Sequence, residues 1–294
     1  MTRLRGLWTA AAAVTLLLLS ACAQPIVDGE AGGGGASASP SGPSGDPDAL
    51  VLRVRQTGGF VGPDALAGEL PDLSVYADGR MIFGGPTVMS YPGPARPNVQ
   101  VLMISPDALA TLVDKAVAAG VKPGTDFGQP GVADARTTQV TLVTASGAQT
   151  AEANALGEAQ PNDPMLTPAQ QDARAKLRAY LDELDKLKSG AAVEQYKPEM
   201  LAAVARPYAN TDDTLPGKPK EQKWAGPALP GEPLNAEAEI SCVTATGEQA
   251  DAIVAAAEKA NANTPWLSEG KSWTVRFRPL LPDETGCADL KAER

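Results

Sequence analysis

The chain has 294 residues, a formal charge of −10 and no histidine. An acidic balance excludes a nucleic-acid binder, which needs a basic face against the phosphate backbone. The missing imidazole excludes Ser-His-Asp and Cys-His catalysis, HExxH zinc sites and every histidine-ligated metal. No GxGxxG or GxxxxGK pattern provides a phosphate loop either.

Met1 to Gly6 carries Arg3 and Arg5 and no acid, and Leu7 to Leu19 is apolar apart from two threonines. That run has signal-peptide length and is too short to span a bilayer. It ends in the lipobox Leu19-Ser20-Ala21-Cys22, so residues 1–21 read as a lipoprotein signal peptide and Cys22 as the lipidated first residue of the mature chain. The alternative is an ordinary secretory signal with a chance cysteine. Loss of Arg3 and Arg5 takes the formal charge to −12. Two acyl chains on Cys22 hold a protein stably at a membrane, here the outer face of the cell membrane. Residues 22–48, with four glycines at 32–35 followed by Ser, Ala and Pro, read as a disordered linker that cannot bury enough apolar area to fold.

The remainder predicts an α+β fold. Val51–Val54 opens it as a strand, and Leu73–Tyr76 with Arg80–Phe83 flank Asp78-Gly79, a hairpin turn. Val99–Ile104 feeds a helix capped by Ser105 with Pro106 at its first position, apolar at Leu109, Leu112, Val113, Ala116 and Val117, and stopped at Gly120. Thr138–Thr144 and Gln149–Ala153 read as a second hairpin. Thr167-Pro168-Ala169-Gln170 is a capping box opening a helix to about Lys188, with Leu177, Tyr180, Leu181, Leu184 and Leu187 on one side. Met200–Ala205 leans to strand because Pro207 ends it. Ala238–Val243 feeds a helix behind a second capping box, Thr246-Gly247-Glu248-Gln249, and Trp273–Phe277 returns as strand.

The strand-helix-strand order around residues 99–144 echoes that around 238–277. The expected architecture is therefore two small lobes of mainly antiparallel sheet with packed helices: residues 49–160, a connecting helix within 161–195, and residues 196–294. With Cys22 taken by lipid, Cys242 and Cys287 form an even pair in an oxidising compartment and read as one disulfide, free thiols being the alternative.

Thr57-Gly58-Gly59-Phe60, Leu70-Pro71-Asp72, Tyr76-Ala77-Asp78-Gly79-Arg80, Tyr91-Pro92-Gly93-Pro94 and Arg278-Pro279-Leu280-Leu281-Pro282-Asp283-Glu284 resemble stretches of an uncharacterised lipoprotein family of high-GC Gram-positive bacteria. The resemblance implies export, lipid anchoring and a disulfide, and it implies no activity.

Candidate sites are few. The loop Gly84–Asn98 holds Met89, Tyr91 and Arg96 among four prolines. Tyr and Arg are frequent interface anchors, and proline lowers the entropy cost of presenting them. Tyr208 and Trp224 lie in a similar loop, Arg206–Pro233. The competing reading has these aromatics covering adjacent sheet. Asp126, in the glycine-rich stretch Lys122–Gly131 with Phe127, is a candidate for a loop over a cleft or a plain connection. Ser268-Glu269-Gly270-Lys271 has Ser-x-x-Lys spacing, but Pro265 and Gly270 put it in a loop and its partner motifs are absent. Asp212-Asp213 lacks calcium-loop spacing. No metal ligand set, cofactor or catalytic residue is assigned. The leading expectation is a non-enzymatic envelope module that binds another envelope protein or serves as a scaffold. A solute-binding lipoprotein with an inter-lobe cleft is the second. A carboxylate hydrolase using loop acids such as Asp126, Asp134, Asp212 or Asp213 is the third.

Overall fold

A computed structural model describes residues 45–190, 192–209 and 219–291. The expected signal peptide, the expected lipidation site Cys22, the expected linker up to residue 44, and Asp212-Asp213 lie outside the described residues.

Two sheets carry the fold. The first contains β1 (Leu50–Gly58), β2 (Leu73–Tyr76), β3 (Arg80–Gly84), β4 (Val99–Met103), β5 (Arg136–Thr144), β6 (Gly147–Asn154) and β7 (Glu194–Gln195), in the order β6-β5-β1-β2-β3-β4-β7. The second contains β8 (Met200–Pro207), β9 (Gln222–Lys223), β10 (Glu232–Asn235), β11 (Ile240–Thr246), β12 (Trp266–Ser268) and β13 (Lys271–Pro279), in the order β10-β11-β8-β13-β12-β9. Every pairing is antiparallel except β9 with β12.

Both predicted hairpins form, through Asp78-Gly79 and through Ser146-Gly147. Gly79 has φ +90, and a Cβ there would run into the Ile104 carbonyl. Only glycine makes this turn at such a close approach.

Among the described residues, three of the four α-helices follow the sequence reading: α2 (Pro106–Ala118), α3 (Pro168–Gly190) and α4 (Gly247–Ala257). Ser105 caps α2 by accepting from the Ala108 N–H at 3.2 Å. The Thr167 capping box closes both ways: the Gln170 N–H donates to Thr167 Oγ1 at 3.3 Å, and the Thr167 N–H to Gln170 Oε1 at 2.8 Å. The Thr246 capping box does not form, because Gly247 at the first helical position has φ +52 and the Thr246 side chain accepts no cap bond. A six-residue helix, α1 (Pro63–Gly68), and the short strands β7, β9, β10 and β12 carry too few residues for a period to be read.

Helices α2 and α3 pack on one face of the first sheet. Leu112, Ala116, Leu177, Tyr180 and Leu184 meet Leu52, Val54, Val75, Val140 and Leu142. Each fully buried aliphatic or aromatic side chain here contributes about 1.5–3 kcal/mol, so the seam of α3, not its propensity, fixes it. In the second sheet β8 is buried on both faces. Leu201, Ala203 and Ala205 face α4 and the tryptophans, while Ala202 and Val204 face Ile240, Leu280 and Leu290. Helix α2 joins β4 to β5, which run the same way with three strands between them, whereas α4 leads from β11 to the short β12, which runs opposite to β11 with β8 and β13 between them. The echo read in the sequence is therefore only partial: β12 intervenes between α4 and the strand that holds Trp273 to Phe277.

The lobes are interlocked within one compact unit. Helix α1, between two strands of the first sheet, packs on β8 and β13 of the second, where Asp64 accepts from both Arg206 (3.2 Å) and Arg276 (3.1 Å). In return, the segment after β13 crosses to the first sheet. Leu281 packs with Tyr76, Ile82, Val99 and Tyr196, and Asp283 accepts from Arg53 and from the Tyr76 hydroxyl, each at 2.8 Å. The Tyr196 hydroxyl donates to the Leu280 carbonyl at 2.8 Å, and burial pushes that phenol up to about 12. Arg278 and Glu284 form an ion pair at 2.6 Å in which both side chains are buried. Cys242 and Cys287 are joined as a disulfide with Cα atoms 5.9 Å apart, inside the ordinary span. It ties this crossing segment, with its terminal 3-10 turn Cys287–Leu290, to β11.

Candidate functional site

The connection between β3 and β4 forms an arm. Its base is closed by the Gly85 N–H donating to the Asn98 carbonyl at 2.8 Å and by Asn98 Nδ2 donating to the Pro86 carbonyl at 2.9 Å. Pro86, Pro92, Pro94 and Pro97 restrict its backbone. Its far side is fixed to the second lobe. The Gly93 carbonyl accepts from the Ala262 N–H at 2.9 Å, Pro94 bridges Asn261, and Ala95 packs into the core beneath α4. Asn263 Nδ2 reaches the Tyr91 hydroxyl at 3.5 Å.

Between these attachments three large side chains stand in solvent: Val88 at 62%, Met89 at 105% and Tyr91 at 71% of full exposure. Beside them runs a groove of about 560 Å³, lined by Val88, Pro94, Arg96, Pro97, Ala257 and Ala260 among others. Arg96 makes no hydrogen bond or ion pair with any described residue, and its Nε is buried without a partner. A buried donor left unmatched costs about 1–3 kcal/mol. This groove therefore holds a cation with hydrogen-bonding capacity to spare.

The other candidates have local roles. Trp224 is 6% exposed, so it is no surface anchor. It packs edge-on to Trp266 at 5.7 Å and stacks on Phe277, and its Nε1–H donates to the Pro227 carbonyl. The reading of this aromatic as sheet cover is the correct one. Tyr208 is half-buried at the end of β8, where its N–H donates to the Ser272 carbonyl. Asp126 accepts from Gln170 Nε2 and from the Gly128 N–H, both at 2.8 Å. Those bonds, the Gln170 one foremost, hold its carboxyl below the usual range and moor the loop to the α3 cap. Phe127 beside it is in the first core, so the stretch is a pinned connection and not a cover. Ser268 and Lys271 face each other across the β12–β13 hairpin, and Ser268 Oγ accepts from the Leu229 N–H.

The arm thus joins Tyr91 and Arg96 in one surface and leaves Asp126, Tyr208 and Trp224 elsewhere. Val88 was open to the same reading, since it lies in the same proline-framed segment. Among the described residues, no group of three or more acids or cysteines is placed to hold a metal ion, and no helix is long and apolar enough to cross a membrane. Comparisons with protein-family models, with curated proteins and with solved structures found no match.

Proposed function

We propose that the chain is a lipid-anchored extracytoplasmic interaction module, tethered through Cys22, with no enzymatic activity of its own. Its contact surface is the arm 85–98, and its partner is another protein of the cell envelope. The supporting observation is the exposure of Val88, Met89 and Tyr91 on a segment fixed at its base and along its far side. An ordered arm loses little entropy on binding, so the burial of these side chains converts more fully to affinity. Arg96 supplies the polar complement, its guanidinium donating to a carboxylate or carbonyl of the partner.

The test compares wild type with the double variant Met89→Ser/Tyr91→Ser in intact cells, quantifying crosslinked partner. Anchors of this kind are worth about 2 kcal/mol or more each, so recovery should fall more than about tenfold while the circular dichroism spectrum and melting midpoint stay unchanged. Equal recovery with an intact fold would contradict the proposal.

A further inference from the structure

The groove beside the arm holds charge of both signs. One side belongs to the arm, with Pro94, Arg96 and Pro97. The other belongs to the end of α4 and the turn after it, with Ala257, Glu258 and Ala260. Among the described residues that line it, Arg96 is the one base and Glu258 the one acid. Every other described arginine donates to a carboxylate, a side-chain amide or a main-chain carbonyl. Arg96 donates to none of these, and the Glu258 carboxylate accepts from no described residue. The two residues face one groove without forming an ion pair.

Backbone bonds hold the two sides apart. The arm is tied to the second lobe by the Ala262 N–H on the Gly93 carbonyl and by the Pro94–Asn261 bridge. On the other side the Glu258 N–H donates to the Val254 carbonyl and the Ala260 N–H to the Ala257 carbonyl, each at 3.1 Å. Gln222 Nε2 donates to the Lys259 carbonyl at 2.8 Å. The guanidinium and the carboxylate therefore stand on separate, fixed supports, and only side-chain rotation brings them closer.

In the free protein both groups reach water, Glu258 being exposed and Arg96 half-buried. A partner seated on the arm shuts water out of the groove. A charge closed off without a counter-charge is strongly destabilising, and a carbonyl does not neutralise a guanidinium. A partner that brought only an acid would satisfy Arg96 and set that acid near Glu258, and like charges in juxtaposition oppose docking. Each charge of the groove therefore calls for its own opposite.

We propose that the partner docks through a segment that carries both an acidic and a basic side chain, the acid on Arg96 and the base on Glu258. This rests on the reading of the arm as the contact surface and adds the chemistry of what it contacts. Because the two charges stand on opposite sides of a fixed groove, they also set the direction of the segment, and the reversed order is rejected.

The experiment places a photo-crosslinking residue at position 89 and measures the adduct in intact cells. Four backgrounds are compared: the otherwise unchanged chain, Arg96→Glu, Glu258→Arg, and the exchanged variant Arg96→Glu/Glu258→Arg. The exchange keeps the net charge and would keep any ion pair between the two residues. The proposal expects recovery to fall more than about tenfold for each single reversal and at least as far for the exchange. Mass spectrometry of the adduct should map a partner peptide with an acid and a base, and exchanging those two residues in the partner should restore recovery with the exchanged variant. Glu258 is exposed, so Glu258→Arg keeps its fold; melting midpoints check the Arg96 variants. Full recovery from the exchanged variant, a Glu258→Arg chain that docks like the unchanged one, or a mapped peptide lacking either charge would overturn the proposal while leaving the arm as the contact surface. No adduct from position 89 in the unchanged chain would overturn the reading of the arm, and this proposal with it.

Discussion

Arg96 combines an exposed function with a buried cost. Its Nε has no acceptor, so removing the polar group while keeping the stem relieves the free protein of an unmatched donor. Arg96→Met should raise stability in urea by about 1 kcal/mol while lowering partner recovery; a residue with only a structural role would lose stability instead. Asp64 gives the opposite case. Burial opposes its charge, but the bonds from Arg276 and Arg206 outweigh it and hold the carboxyl below its ordinary value. A depressed folded pKa stabilises above the unfolded value of about 3.9 and ceases to do so as pH falls through the folded value. Asp64→Asn should therefore cost about 1–3 kcal/mol at neutral pH, and urea titrations should show that difference shrinking below about pH 4. At this scale the placing of Tyr91 and Arg96 on one proline-framed segment was legible from the sequence. Trp224 was not, because its burial depends on Trp266 and Phe277, remote in sequence. The polar rows of β1 and β5 were written in the alternation at 53, 55, 57 and 137, 139, 141, but which face meets water is a tertiary fact.

Helix ends show how far local signals reach. Two capping boxes read alike in sequence, yet only Thr167 makes the reciprocal bonds. Thr167→Ala should cost about 1 kcal/mol, whereas Thr246→Ala should be close to neutral; thermal unfolding of the two variants measures the contrast. The hairpins and the three longer helices were legible because turn chemistry and a period of 3.6 act within a few residues. Helix α1 was not, since six residues contain less than two turns and it is held by β8 and β13. The crossing segment after β13 owes its position to the disulfide and to the buried Arg278–Glu284 pair. Closing a loop across a separation of 45 residues is worth about 4 kcal/mol on the chain-entropy estimate. Cys242→Ser with Cys287→Ser should lose about 2–5 kcal/mol of stability, read by denaturant titration, and reductant should then have no further effect on the variant.

Across the whole molecule, each lobe lends a piece to the other: α1 goes one way, residues 281–283 the other, and the arm 85–98 is anchored beneath α4. Lobes joined in this manner should unfold in one cooperative transition by calorimetry, and two resolved transitions would show that the exchange is not energetically coupled. The same interlocking argues against opening and closing around a solute and for a fixed body that carries surfaces. The most direct measurement puts a photo-crosslinking residue at position 89 of the full-length protein in living cells, with position 165, another exposed methionine remote in sequence from the arm, as control. The account predicts one dominant envelope-protein adduct from position 89, lost when Arg96→Met is added and not seen from position 165. No adduct at 89, or the same adducts from both positions, would contradict it.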